Sequence, residues 1–85
     1  MSYTIIVSYK EKKATAIEVS TIDEARDAAA DQVRLSMDGF SEDREALARY
    51  GYLDAEEKAM DMPEDGGTIL LADGTKIEVI NDDVS

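Results

Sequence analysis

Residues 20–39 read STIDEARDAAADQVRLSMDG, and the period of this stretch decides the fold. Counted at about 100° per residue from Ile22, the positions Ile22, Ala25, Ala29, Val33, Met37 and Phe40 share one side. Glu24, Asp27, Asp31 and Asp38 share the other. One side is core and the other is an acidic stripe. Thr21 followed by Glu24 fits a capping box, in which the Thr hydroxyl takes an orphan amide and the Glu reaches back. Asp23, Glu24 and Asp27 put negative charge at the positive end of the helix dipole, and Gly39 offers the left-handed conformation that ends a helix. The pattern predicts a helix over residues 22–38.

Strand-like segments lie on both sides of it. Tyr3 to Tyr9 alternates, with Tyr3, Ile5 and Val7 on one face and Thr4, Ile6 and Ser8 on the other, and Thr15 to Val19 alternates through Ile17 and Val19. Pairing Ile5 with Val19 and Val7 with Ile17 predicts a hairpin turning at Glu11, Lys12 and Lys13. At the other end, Asp73-Gly74 between two apolar runs predicts a two-residue type I′ hairpin. That register sets Ala72 opposite Thr75, Leu70 opposite Ile77 and Thr68 opposite Val79 on the core face. It sends Ile69, Leu71, Lys76, Glu78 and Ile80 to the back face. Between long helix and second hairpin, Ser41 reads as an N-cap for a short helix from Glu42 to Tyr50, with Leu47 and Tyr50 inward and Gly51 as its stop. Asp54 with Glu57 repeats the capping box and opens a turn or two that ends before Pro63. Leu53, Ala59, Met60 and Met62 are expected to pack on the sheet or the long helix. The reading is one α+β domain over residues 1–85, in the order β-β-α-(short α)-β-β, with an antiparallel sheet packed against one long helix.

Composition narrows the chemistry. The chain has 85 residues, 44% of them hydrophobic, which supports a packed globule with a thin stability margin. Cysteine and histidine are both absent, which removes the thiolate nucleophile, the cysteine zinc site and the usual general base near neutral pH. No apolar run reaches the ~20 residues of a membrane span, and MSYTIIVSYK is too short and polar for a secretory signal. A soluble, cytoplasmic protein is expected. The formal net charge is −11, which opposes nucleic acid and anionic membranes and favours a basic partner. Residues 23–65 alone hold 14 acidic side chains against 5 basic ones.

Four other constellations bear on function. Paired carboxylates serve glycoside hydrolysis only when one is desolvated in a cleft, and no acid here stands at a core-type position. Asp61, Glu64 and Asp65 before Gly66-Gly67 offer hard oxygen donors for calcium, yet their spacing departs from the EF-hand loop. Lys10, Lys12 and Lys13 are too few to make a nucleic-acid footprint in this background. Tyr50, Tyr52 and Leu53 serve either as an interface anchor or as packing for the short helices. No catalytic group, metal ligand or cofactor site is assigned.

The acidic stripe carries the functional content. Its carboxylates at Glu24, Asp27 and Asp31 rise by ~4.5–6 Å per step along a helix, a spacing of the same order as phosphates along nucleic acid. Glu42, Asp43, Glu45, Glu56, Glu57 and Asp61 extend the surface, while Arg26, Arg34, Arg44 and Arg49 interrupt it. In size, acidity, lack of His and Cys, and a sheet with one long acidic helix, the chain resembles phage-encoded inhibitors of host defence, the anti-CRISPR and DNA-mimic proteins. The resemblance implies a non-enzymatic inhibitor acting in the host cytoplasm. It would occupy a basic, nucleic-acid-binding surface of a partner protein, such as a CRISPR effector complex, without touching nucleic acid itself. The expected contact set is Glu24, Asp27, Asp31, Asp38, Glu42, Asp43, Glu45, Glu56 and Glu57. A structural or oligomeric module assembling through Ile6, Ile69, Leu71 and Ile80 on the sheet's back face is the alternative, and a small metal-binding domain is third.

Overall fold

The computed structural model describes residues 2–10 and 14–83. Strands β1 (Tyr3–Tyr9) and β2 (Thr15–Val19) come first. Helices α1 (Ile22–Phe40), α2 (Arg44–Arg49) and α3 (Tyr52–Met60) follow, and strands β3 (Gly66–Leu70) and β4 (Thr75–Asn81) close the order. The result is an α+β fold whose four strands form one antiparallel sheet in the order β2-β1-β4-β3. The expected order counts one short helix, with only a turn or two opening at Asp54; that second piece is a full helix, and the order is β-β-α-α-α-β-β. Gly51 makes the division: its φ of +82° turns the chain between Tyr50 and Tyr52, and its carbonyl accepts the Ala55 N–H at 3.0 Å. Helix α3 therefore starts before the expected Asp54 box and has no side-chain cap. It still ends before Pro63, as the proline requires.

The long helix opens where its capping box places it. Thr21 Oγ1 accepts the Glu24 N–H at 3.1 Å and donates to Glu24 Oε1 at 3.2 Å. Its far end differs from expectation, because Gly39 is helical and the chain continues through Phe40 to an extended Ser41, whose N–H bonds the Met37 carbonyl at 3.1 Å. The Phe40 ring explains the extra residues. It stacks 4.9 Å from the Tyr52 ring and meets Tyr50 edge-on at 5.0 Å, so the last turn is held by aromatic packing. Asp43, not Ser41, caps α2; Ser41 Oγ accepts the Asp43 N–H instead. Leu47 is buried as expected, but Tyr50 is 54% exposed.

Both hairpins form, each in a shifted register. In the first, Tyr3 faces Val19, Ile5 faces Ile17 and Val7 faces Thr15. This is a two-residue slip from the expected pairing, which leaves every side chain on its expected face. The expected turn residues Glu11, Lys12 and Lys13 lie outside the described residues. In the second hairpin Ile69 faces Ile77, Thr68 faces Glu78 and Leu70 faces Lys76, a one-residue slip that exchanges the two faces of β3. The expected type I′ turn is replaced by a three-residue loop. Gly74 donates to the Leu71 carbonyl at 3.1 Å, Leu71 donates to the Thr75 carbonyl at 2.8 Å, and Gly74 alone in this turn has a positive φ, +94°. That is a type I turn closed by a left-handed glycine. Asp73 Oδ1 accepts the Thr75 N–H at 2.9 Å and holds the bend.

The exchange moves Ile69 and Leu71 from the back face into the core and sends Leu70 to 73% exposure. The core is built from Tyr3, Ile5, Ile69, Ile77 and Val79 on the sheet, and Ala25, Ala29, Ala30 and Val33 on α1. Leu47, Tyr52, Ala55, Ala59, Met62 and Leu71 complete it. Alanines at the α1–α3 seam let these helices lie close, and burial of a side chain such as Val33 stabilises by about 2 kcal/mol. Leu53 packs half-buried against this cluster, whereas Met60 is exposed. Helices α1 and α3 lie over one face of the sheet, α1 against β1, β2 and β4 and α3 against β3, while α2 packs on α3, so the long helix shares the cover. No helix among the described residues is long and apolar enough to cross a membrane.

Candidate functional site

The candidate surface starts from α1, whose buried side is fixed by Ala25, Ala29, Ala30 and Val33. That orientation leaves Glu24, Asp27, Asp31 and Asp38 exposed. From Glu24 to Asp38 the stripe extends roughly 21 Å along the helix. Glu24 is partly committed to the cap through its contact with Thr21.

Arg34 ties the stripe to α3. Its guanidinium donates to Asp31 Oδ1 at 3.2 Å and to Glu56 Oε2 at 3.0 Å, so two of the expected contact residues share one cation. The hydrogen bond to Glu56, followed by the attraction of Glu56 and Asp31, raises the Arg34 pKa above its ordinary value. Arg26 makes a parallel link, donating to Asp23 at 3.4 Å and to the Met62 carbonyl at 2.8 Å. Exposed pairs of this kind are screened by solvent, so they locate charge more than they stabilise.

Asp43 is occupied as well, since its carboxylate accepts the Glu45 N–H at 3.0 Å to cap α2. Asp27, Asp38, Glu42, Glu45 and Glu57 remain exposed with no ion pair among the described residues. The structure thus brings Asp31 and Glu56 together through Arg34, and divides the other seven expected residues into helix caps and solvated carboxylates. Arg34 was missed as a member of the site; its spacing from Asp31 was legible, but its bond to Glu56 spans 22 residues of sequence.

Asp61, Glu64 and Asp65 are exposed, and among the described residues no group of three acidic side chains is placed to hold a metal ion. The Glu64 carbonyl accepts from the Asn81 amide at 3.0 Å, which anchors that segment to β4. A shallow open hollow of about 200 Å³ lies between α3 and β3, lined by Gly51, Asp54, Ala55, Lys58, Ile69 and Leu70. It is smaller than the ~300 Å³ at which small-molecule sites begin.

The Tyr52 hydroxyl is buried without a hydrogen-bond partner among the described residues. Burial pushes its pKa up and the Asp73 carboxylate adds to this; the Asp73 backbone opposes it from beyond hydrogen-bond geometry. Tyr3 is also shifted upward, by burial first and then by the Glu64 and Asp83 carboxylates.

Comparison with family models, with curated proteins and with solved structures yields no match.

Proposed function

We propose that this chain is a small, acidic, non-enzymatic binding protein that occupies a basic, nucleic-acid-binding surface of a partner, as an anti-CRISPR or DNA-mimic inhibitor would. The observation that carries the reading is the outward side of α1, where Asp27 and Asp38 are exposed and bear no ion pair among the described residues of a chain with net charge −11. Such carboxylates accept hydrogen bonds from Arg and Lys side chains, and the net charge steers a basic groove toward them. Asp31 and Glu56 contribute less than their positions suggest, because Arg34 already neutralises part of their charge.

The test is displacement of labelled nucleic acid from a partner recovered by pull-down at low salt. Asp27→Lys with Asp38→Lys should weaken displacement by at least about tenfold, chiefly through a slower on-rate, and the parent's own binding should fall steeply with salt. A double variant that displaces as well as the parent, with no salt dependence, would sink the proposal.

A further inference from the structure

Strand β3 forms one edge of the sheet. Leu71 bonds Thr75 across the hairpin, and antiparallel bonding alternates from residue to residue. The main-chain groups of Gly67 and Ile69 therefore face β4, and those of Thr68 and Leu70 face outward. Protein edges are ordinarily blunted by charged side chains or proline. The segment Gly66–Leu70 reads GGTIL and has neither. Its outward residues Thr68 and Leu70 are exposed. The opposite edge, β2, carries Glu18.

Charge balance singles out the same place. Asp54 and Lys58 flank Ile69 and Leu70 on one side. On the other, Lys76 stands opposite Leu70 and pairs with Glu78 at 3.0 Å. Around Leu70 the two acids Asp54 and Glu78 face the two bases Lys58 and Lys76, so this end of the edge is balanced on a molecule of net charge −11, whereas Glu64 and Asp65 leave the Gly66 end acidic. A second copy of so acidic a chain is repelled elsewhere and can approach here. Turned about a two-fold axis at Thr68, the copy sets its Gly66 opposite Leu70. Lys58, beside Leu70, then meets the end of the copy's strand that begins at the exposed Glu64 and Asp65.

We propose that β3 pairs edge to edge with β3 of a second copy of this chain, joining the two sheets into one. Thr68 exchanges both main-chain bonds with its counterpart, and Leu70 of each copy lies beside Gly66 of the other. The Gly66 N–H takes no part, since the Pro63 carbonyl holds it at 2.9 Å. The pairing is independent of the acidic face and carries the opposite salt signature: screening relieves repulsion between copies, whereas it weakens capture of a basic partner.

Sedimentation equilibrium of the full chain from about 1 µM to about 1 mM tests it. Thr68→Pro deletes an outward N–H and no β3–β4 bond; Lys58→Glu reverses the flanking cation at an exposed helical position. Circular dichroism checks that each variant folds. The parent should dimerise within this range, more tightly at higher salt, and Thr68→Pro should weaken the dimer at least about tenfold. Should the proline variant not fold, the same loss in Lys58→Glu decides. A parent that stays monomeric throughout overturns the proposal, as does a dimer unaffected by the folded variants.

Discussion

Tyr52 shows how one side chain can serve packing and still carry a cost. Its ring packs against Phe40 in the core, while its hydroxyl is buried with no partner among the described residues. Deleting an unsatisfied buried hydroxyl relieves a desolvation penalty, so Tyr52→Phe should be neutral or stabilising by up to about 1 kcal/mol in a denaturant titration. Alkali gives a sharper readout. The folded state holds the Tyr52 proton more tightly than the unfolded chain, where a phenol titrates near pH 10. Below that pH both states are protonated and the contribution is constant. Above it the unfolded state releases protons first, and stability falls as pH rises. The variant should lose less stability than the parent between about pH 9 and about pH 11, with the remaining loss due in part to Tyr3, whose phenol is shifted the same way. Parallel slopes for parent and variant would show that Tyr52 keeps its proton no better folded than unfolded.

Elements were legible where their signals are local. The Thr21 cap and the apolar side of α1 depend on neighbours three and four residues away, and both are present in the structure, although the Glu24 carboxylate reaches back to the Thr21 hydroxyl and not to its N–H. The β3–β4 register was not legible. Ile69, Leu70 and Leu71 are all apolar, so alternation permits either face, and Asp73-Gly74 suits both a two-residue and a three-residue loop. The burial of Ile69 and Leu71 under α3 settles it. For the candidate surface, the acids were visible as composition; their sorting by Arg34 and by the caps was not, because it depends on how α3 lies against α1. Two glycines make the element-scale prediction. Gly39 is helical with nothing within 4 Å of an added Cβ, so Gly39→Ala should raise stability by about 1 kcal/mol. Gly74 has a φ of +94°, and an added Cβ would meet Lys10 Cγ at 3.2 Å. Gly74→Val should cost at least about 1–2 kcal/mol. Thermal melts showing the same sign for both substitutions would contradict the assigned conformations.

For the whole molecule, the excess of like charge works against compactness. With net charge −11 and few ion pairs among the described residues, folding draws together carboxylates that the unfolded chain keeps apart. Raising salt from about 0.02 M to about 0.5 M should therefore increase the melting temperature. A decrease would mean that the few pairs outweigh the repulsion. The pairing of β1 with β4 has a further consequence, which concerns time. Tyr9 lies opposite Thr75 and Tyr3 opposite Asn81, so the sheet's centre joins one segment to another translated much later. At ribosomal speeds of about 5–20 residues per second, β1 waits roughly 3–15 s for its central neighbour. Until then YTIIVSY has only β2 to pair with, and a lone two-stranded ribbon is marginal in water. The most apolar strand of this acidic protein is thus the one that waits for its central neighbour during synthesis.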